Sequence, residues 1–295
     1  MPLDSSIVGE TTEYRDAEID ARWTMAYAAA LGETRACHFD TLAAGRFVAH
    51  PLFPVCFEWP VITGMRELLA RSGMTPAEAL GAVHTTHDLS IARPIRPPER
   101  LRTRATIAAV ERHRSGAFQL TRLETVDASG APVSSSWYGA LYRGVEVRGA
   151  DRRLPDAIPQ PVPAPSDVGP RAELVIPIAA GLAHVYSECA RIFNPIHTDA
   201  AVARAAGLPE IILHGTATLA LAVSRIIGAK LGGRPTDVRR IAGRFAAMVT
   251  MPSEIVLQIG GGENLDVHFE VLDRAGRAVI RSGFVAGLYA GGEFL

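Results

Sequence analysis

The chain has 295 residues, of which 48% are hydrophobic and 6% aromatic, and its formal net charge at pH 7 is −1. This length accommodates one large domain or two ordinary ones, and a charge near zero excludes the long-range field that attracts nucleic acids or anionic membranes. No apolar run reaches the ~18–20 residues that span a bilayer. The N-terminus is polar and unlike a signal peptide, and the three cysteines form no CxxC pair or metal-binding spacing. We therefore expect a cytoplasmic protein without a membrane span, a disulfide framework or a nucleic-acid partner.

Two helices are predicted in the first half of the chain. Residues 13–31 carry apolar side chains such as Ile19 and Trp23 at helical spacing, which indicates an amphipathic helix packed on the body of the protein. Residues 60–70 are helical by composition, and Pro60 suits the first turn because a proline there loses no intrahelical hydrogen bond.

His84 and His87 follow at the head of a predicted strand. Alternation along a strand sends residues three apart to opposite faces, so a shared metal ion is not expected and no third ligand suggests itself. His50 and His184 are interpreted as structural histidines.

Two sequence patterns occur once in each half of the chain. Residues 126–140 and 272–286 both predict a strand, an Asp-x-x-Gly turn and a second strand, with glycine where a positive φ is needed. Residues 92–101 and 247–256 each predict two strands joined by a turn that contains proline and glutamate. The same order of patterns in both halves indicates a duplication.

A proline-rich segment, residues 151–170, separates these halves and is predicted to be a semi-rigid linker. We call residues 1–150 the first repeat and residues 171–295 the second repeat.

The most informative segment of the second repeat is Asn194-Pro195-Ile196-His197, followed by His214-Gly215. Asn-Pro predicts a turn, which presents His197 at a loop-to-helix junction. Gly215 opens an apolar helix, predicted over residues 215–231, whose first N–H groups can stabilise a carbonyl oxygen that gains negative charge. A hydrogen-bonded structural histidine is the simpler interpretation of His197. The two elements together indicate chemistry on a carbonyl or thioester.

The arrangement of Tyr186, Asn194-Pro195-Ile196-His197 and His214-Gly215 resembles the signature of the MaoC-like, or hydratase 2, dehydratases. The resemblance implies an α+β double hot-dog fold, in which two antiparallel sheets each wrap around a long helix and join edge to edge. It also implies a degenerate first repeat, a site in the second repeat, and a place in fatty acid metabolism. The implied lyase activity is hydration of trans-2-enoyl thioesters, or dehydration of (R)-3-hydroxyacyl thioesters, of CoA or a carrier protein.

The resemblance also assigns roles. His197 is the expected acid/base, Asn194 fixes the loop or binds water, and the Gly215 N–H binds the thioester oxygen. The residues expected to contact substrate are His214, Ser224 and Phe193. No metal or cofactor is implied, and a homodimer is among the expected assemblies.

One departure from the family pattern concerns catalysis. Ile192 stands where the family has an aspartate that acts with the histidine, and Glu188 is the nearest candidate for a substitute acid. The alternative reading is therefore a catalytically altered or inactive member that binds an acyl thioester. A thioesterase on the same fold, with Glu188 as its carboxylate, is a third reading.

Overall fold

The computed structural model describes residues 2–42, 46–72, 74–75, 78, 81–157, 159–163, 172–260 and 265–288. The helices are α1 Ala21–Ala30, α2 Pro54–Gly64, α3 Arg66–Arg71, α4 Leu182–Ala190, α5 Ala200–Ala205 and α6 Gly215–Lys230. The strands of the first repeat are β1 Leu3–Asp4, β2 Arg15–Ile19, β3 Ala82–Ile91, β4 Glu99–His113, β5 Gly116–Asp127, β6 Pro132–Arg143 and β7 Val147–Arg148. The remaining strands are β8 Arg152–Arg153, β9 Ala172–Ile178, β10 Val238–Phe245, β11 Ser253–Ile259, β12 Val267–Asp273 and β13 Ala278–Gly287.

One long antiparallel sheet runs through both repeats in the order β2-β4-β5-β6-β3-β10-β13-β12-β11-β9. The repeats meet where β3 pairs with β10, with Arg240 opposite Ser90 and Arg244 opposite Thr86. The order within the first repeat is mirrored in the second, so each repeat contributes the same five-strand pattern. This arrangement confirms the predicted α+β fold with two sheets joined edge to edge.

The helix α6 is the central helix of the second repeat and begins at the predicted residue, Gly215. Ten of its side chains are buried, from Ala217 to Ile227. A helix that is apolar on most of its faces must be covered on most of its faces, and the curved sheet of β9 to β13 supplies that cover. Its counterpart in the first repeat is α2, which buries Phe57 and Val61.

Two predicted helix boundaries in the first repeat are wrong. Residues 15–19 form strand β2, and α1 begins only after Asp20, whose side chain accepts a hydrogen bond from the Trp23 N–H at 2.7 Å. Alternating and helical patterns are hard to separate in so short a segment, and Asp20 is the N-cap that marks the true start. The second helix begins at Pro54, so Pro60 lies inside it rather than in its first turn.

The two predicted Asp-x-x-Gly turns are present. Gly130 has φ +89° and Gly276 has φ +75°, and Asp127 and Asp273 each hold the turn by accepting backbone hydrogen bonds. A left-handed φ is readily adopted only by glycine, so the sequence determined both turns.

The predicted linker, residues 151–170, is described only in part. Arg152 and Arg153 form β8, which pairs with β4, and the carbonyl of Gln160 accepts a hydrogen bond from the Arg240 side chain. Residues 158 and 164–170 lie outside the described residues, so the division of the chain into two repeats and a linker stays a prediction.

Candidate active site

The loop that carries His197 is built from three local signals. Helix α4 ends at Ala190 and is capped by Arg191, which adopts the left-handed conformation with φ +57°. Asn194 then caps a short 3-10 helix, Pro195–His197, by accepting a hydrogen bond from the Ile196 N–H at 3.4 Å. Asp199 caps α5 through the N–H groups of its first turn. These caps fix the backbone on both sides of His197.

His197 is held in one tautomer. Its Nδ1 lies 2.8 Å from the carbonyl oxygen of Ile212, which can only accept, so Nδ1 carries the proton and Nε2 keeps its lone pair. Burial lowers the pKa of His197 from 6.5 to about 4, and the Ile212 carbonyl opposes that shift. At neutral pH the side chain is therefore an uncharged imidazole with a free basic nitrogen.

His214 lies directly against His197. The two rings stack with centroids 3.7 Å apart and an interplanar angle of 25°, and His214 Nε2 is 3.2 Å from the Ser187 hydroxyl. Burial lowers the pKa of His214 well below its usual value, and the neighbouring His197 lowers it further. Protonating one ring disfavours protonating the other, which keeps the pair neutral.

Gly215 begins α6 beside this pair. The side chain of the N-cap residue His214 makes no hydrogen bond to the first turn, so it leaves the N–H groups at the start of α6 uncapped. A Cβ on Gly215 would lie 3.1 Å from the ring of Phe245, closer than an ordinary contact. The glycine thus lets an aromatic ring approach a helix N-terminus that can stabilise negative charge.

The other predicted site residues differ in how far they are buried. Ile192 is buried in the apolar core, whereas Glu188 is exposed on α4. Burial raises the pKa of the Cys189 thiol, and the charge of Glu188 raises it further. Phe193 is 58% exposed. Among the described residues, no carboxylate is found bonded to His197 or His214.

Ser224 lies on the side of α6 that faces the first repeat. Its hydroxyl is 3.1 Å from Nε2 of His50, and its carbonyl accepts a hydrogen bond from Arg35 at 2.9 Å. Its hydrogen-bond partners are therefore first-repeat residues rather than His197.

His84 and His87 share one face of β3, which corrects the expectation that they lie on opposite faces. The pairing of β3 with β6 shifts register between His84 and Thr86, and this bulge turns His84 to the side of His87. Their rings lie 5.5 Å apart, and His84 also packs 4.7 Å from the Phe245 ring that covers Gly215. Neither ring nitrogen of His87 has a hydrogen-bond partner in the described part of the chain.

The first repeat contains a second copy of the arrangement of one tyrosine and two histidines seen at Tyr186, His197 and His214. This copy was not predicted from the sequence. Tyr27 and Tyr186 occupy equivalent positions 159 residues apart, and their hydroxyls lie 3.4 Å from each other. His38 and His197 are separated by the same 159 residues and therefore also occupy equivalent positions. The signal available in the sequence was the equal spacing from each tyrosine to its histidine.

The first histidine of each repeat makes the equivalent hydrogen bond. Nδ1 of His38 lies 2.8 Å from the carbonyl oxygen of Val48, two residues before His50, just as His197 bonds to Ile212 two residues before His214. The histidine rings of the first repeat are 6.1 Å apart rather than stacked. His50 is thus the counterpart of His214 and not an isolated structural residue.

No group of three or more metal-ligating side chains occurs among the described residues, and no described helix is long and apolar enough to cross a membrane.

Two protein-family models match this chain. Residues 167–275 match the MaoC like domain, and residues 6–135 match the FAS1-like, dehydratase domain region. Residues 167–275 therefore carry a MaoC-like domain. The MaoC-like domain contains His197, His214 and Gly215, and the second match covers the first repeat.

Two curated relatives have named activities. The chain is 36% identical over 93 residues to the peroxisomal enoyl-CoA hydratase 2 of Arabidopsis thaliana, a match that covers 32% of this chain and 30% of the plant enzyme. It is 26% identical over 264 residues to 3-hydroxyacyl-thioester dehydratase X of Mycobacterium tuberculosis, covering 89% of this chain and 84% of that protein.

Solved structures share the fold over nearly the whole chain. A MaoC-like dehydratase from Phytophthora capsici superposes with a TM-score of 0.79 at 21% identity and covers 95% of this chain and 96% of its own. A Mycobacterium tuberculosis protein with a double hot-dog fold gives a TM-score of 0.62 at 15% identity, with 96% of each chain covered. At these identities the likeness concerns the fold alone.

Proposed function

We propose that this MaoC-like protein is an acyl-thioester hydratase/dehydratase that interconverts trans-2-enoyl and (R)-3-hydroxyacyl thioesters. The observation that carries the proposal is the neutral His197, with a free Nε2, stacked beside His214 at the start of α6. The activities named for the two curated relatives support the same reaction class.

The residues suffice for a balanced reaction. In hydration, the oxygen of a water molecule bonds to C3 of the enoyl group while Nε2 of His197 takes a proton from that water. The electron pair of the double bond moves towards the thioester carbonyl, whose oxygen becomes negatively charged next to the Gly215 N–H. The enolate then collapses as the proton on His197 passes to C2, which leaves the imidazole neutral for the next turnover.

The apolar side chain of Ile192 is expected to limit the rate of this hydration. A single acid/base group without a partner that orients the water forfeits ~10²–10⁴ in rate relative to a cooperating pair. Glu188 as the missing acid would have to reach the site from an exposed face of α4. We therefore expect modest turnover that depends on His197.

The test is hydration of crotonyl-CoA, followed by loss of the enoyl absorbance and by chromatography of the product. Wild type is expected to hydrate the thioester, and His197→Ala is expected to lose ~10²-fold or more. His113→Ala, on an exposed part of β4, is the matched control. Turnover that is unchanged in His197→Ala would refute the assigned role.

The alternative function is binding of an acyl thioester without hydration, and Ile192 is the observation that favours it. This reading predicts that enoyl-CoA binds in calorimetry while no hydration product forms at several chain lengths. Ile192→Asp would then create activity in an otherwise inactive scaffold.

Assembly, carrier and location are part of the proposal. The substrate is taken as a thioester of CoA or of a carrier protein, the protein as a homodimer, and the compartment as the cytoplasm. Sedimentation velocity tests the homodimer, parallel assays with both thioesters test the carrier, and fractionation of cells tests the compartment.

A further inference from the structure

The hydroxyl of Thr216 lies at the accessible start of helix α6. Gly215 and Thr216 are half-buried, whereas residues 217–224 behind them are all buried. Gly215 and Thr216 are thus the residues in the first half of α6 that present surface to a bound molecule. The proposed reaction uses the Gly215 N–H and leaves the neighbouring hydroxyl without a role.

Thr216 accepts a hydrogen bond from a buried tyrosine. The Tyr186 hydroxyl donates to Thr216 Oγ1 at 3.1 Å, and Tyr186 has no exposed surface. Burial raises the pKa of Tyr186, so its hydroxyl keeps its proton and remains a donor at neutral pH. A phenol has a single O–H, which Tyr186 uses here, so Tyr27 is the donor in the 3.4 Å contact between the two tyrosine hydroxyls.

The direction of the bond from Tyr186 determines what the Thr216 hydroxyl can still do. A threonine hydroxyl has one hydrogen to donate and two lone pairs that accept. Because Tyr186 donates to one lone pair, the O–H hydrogen of Thr216 points away from Tyr186. Within the described part of the chain Tyr186 is the one hydrogen-bond partner of this hydroxyl, and Nδ1 of the nearby His214 has no partner. The Thr216 hydroxyl is therefore a donor with no acceptor among the described residues.

This donor belongs to the same cluster as the proposed base. Thr216 directly follows Gly215 at the uncapped start of α6, where the helix dipole favours negative charge. The ring of Tyr186 packs 5.0 Å from that of His214, which stacks on His197 at 3.7 Å. A hydroxyl, a backbone N–H and a basic ring nitrogen are thus held together by one set of buried contacts.

We propose that the Thr216 hydroxyl is a second donor to the thioester oxygen, beside the Gly215 N–H, and that Tyr186 is the residue that positions it. The inference rests on the proposed function for its ligand, an acyl thioester, but not for the hydration step. When water bonds to C3 and the enolate forms, both donors bond to the oxygen that becomes negative, and Thr216 keeps its proton throughout. A donor that is already in position stabilises this charge without reorganisation.

Infrared spectroscopy of a bound thioester tests the contact directly. The probe is butyryl-CoA with an isotopically labelled carbonyl, because it has the thioester group but no double bond to hydrate. A hydrogen bond to the carbonyl oxygen lowers the C=O stretching frequency, so wild type is expected to shift this band below that of free butyryl-CoA. Thr216→Val, which keeps the shape and removes the hydroxyl, is expected to lose part of the shift, and Thr216→Ser is expected to retain it.

Turnover of crotonyl-CoA gives a second readout. Thr216→Val is expected to lower kcat and kcat/KM together by ~10²-fold, with little change in KM, because the lost donor acts on charge that develops in the transition state. Thr216→Ser should keep most of the activity, and a serine variant as slow as the valine variant would show that the methyl group matters instead. Tyr186→Phe leaves the Thr216 hydroxyl free to rotate, so both kcat and the infrared shift should fall, but by less than in Thr216→Val.

Thr63→Val is the matched control. Thr63 is a half-buried threonine of α2 whose hydroxyl bonds to the Pro60 carbonyl, and it belongs to neither histidine pair. Its valine variant should match wild type in both readouts. Circular dichroism of every variant confirms folding, and a loss of the infrared shift in a folded protein that still binds butyryl-CoA is not explained by instability.

The outcomes separate the inference from the proposed function. If bound butyryl-CoA has a carbonyl band that Thr216→Val leaves unchanged, the hydroxyl does not contact the thioester and the inference is refuted, whether or not crotonyl-CoA is hydrated. If the band depends on Thr216 but wild type does not hydrate crotonyl-CoA, the contact stands and the hydratase function is refuted. If wild type binds neither thioester, both fail.

Discussion

The hydroxyls of Tyr27 and Tyr186 lie 3.4 Å apart in the interior of the protein, at equivalent positions of the two repeats. Each tyrosine also packs against the second histidine of its own repeat, with ring centroids 5.8 Å apart for Tyr27 and His50 and 5.0 Å apart for Tyr186 and His214. A continuous series of polar rings therefore joins the two histidine pairs. A change at one histidine pair is expected to reach the other through this contact.

The activity of His197 should persist at low pH. A base must be unprotonated to act, and the pKa of His197 is lowered to about 4, so kcat/KM should stay level below pH 6 and fall only as the pH drops through about 4. Measuring crotonyl-CoA hydration from pH 4 to 8, with circular dichroism at each pH to confirm folding, checks this. A fall of kcat/KM near the ordinary histidine pKa of about 6.5 would contradict the conclusion that burial lowers the pKa of His197.

Gly215→Pro should remove the N–H that binds the thioester oxygen. Proline is well accepted in the first turn of a helix, so the fold should survive while kcat falls ~10²–10³-fold. Gly215→Ala keeps the N–H and adds only a Cβ that presses on Phe245, so its loss should be smaller. Phe245→Leu in both backgrounds relieves that contact. Equal losses in Gly215→Pro and Gly215→Ala would show that packing, not the N–H, is what matters.

Ile192→Asp should raise the turnover of the second repeat. It restores a carboxylate five residues before His197, and a gain of ~10-fold or more is expected because a second acid/base group cooperates with the first. Thermal stability should fall, since Ile192 is 5% exposed and a carboxylate is costly to bury there. Ile192→Asn, which matches the shape without the charge, is the control, and an Asn variant as active as the Asp variant would contradict the prediction.

His87→Leu should stabilise the protein. Both ring nitrogens of His87 are buried without partners among the described residues, and an apolar side chain avoids that cost of ~1–3 kcal/mol. Urea unfolding measures the change, with the exposed His184→Leu as control. A lower midpoint for His87→Leu would indicate that an unseen group occupies the ring nitrogens.

The same variant should alter the dependence of stability on pH. The pKa of His87 is lowered to about 4, so the unfolded chain binds its proton more readily than the folded chain does. Stability should therefore be fully present above about pH 6.5 and be lost as the pH falls from there towards 4. In His87→Leu this loss should be smaller by the share that His87 contributes.

Features that depend on nearby residues could be predicted from the sequence. The start of α6 at Gly215 and the turns at Gly130 and Gly276 follow from glycine and capping patterns within a few positions. Such signals act locally, so they are present in the sequence whatever the rest of the chain does.

Features that depend on pairing between distant strands could not be predicted from the sequence. The bulge that brings His84 beside His87 exists because β3 pairs with β6, and no local pattern marks it. The arrangement of Tyr27, His38 and His50 was missed for a related reason, since its motif lacks the Asn-Pro turn and becomes visible only when the two repeats are compared.

The joint between β3 and β10 has a consequence for the protein as a whole. Each of these strands would be an open edge if its repeat stood alone, because the ladder from Arg240 opposite Ser90 to Arg244 opposite Thr86 would be unpaired. Neither half is thus expected to remain monomeric by itself. Supplied as two separate polypeptides, the halves should find each other and rebuild the full sheet, while either one alone should self-associate through its exposed edge.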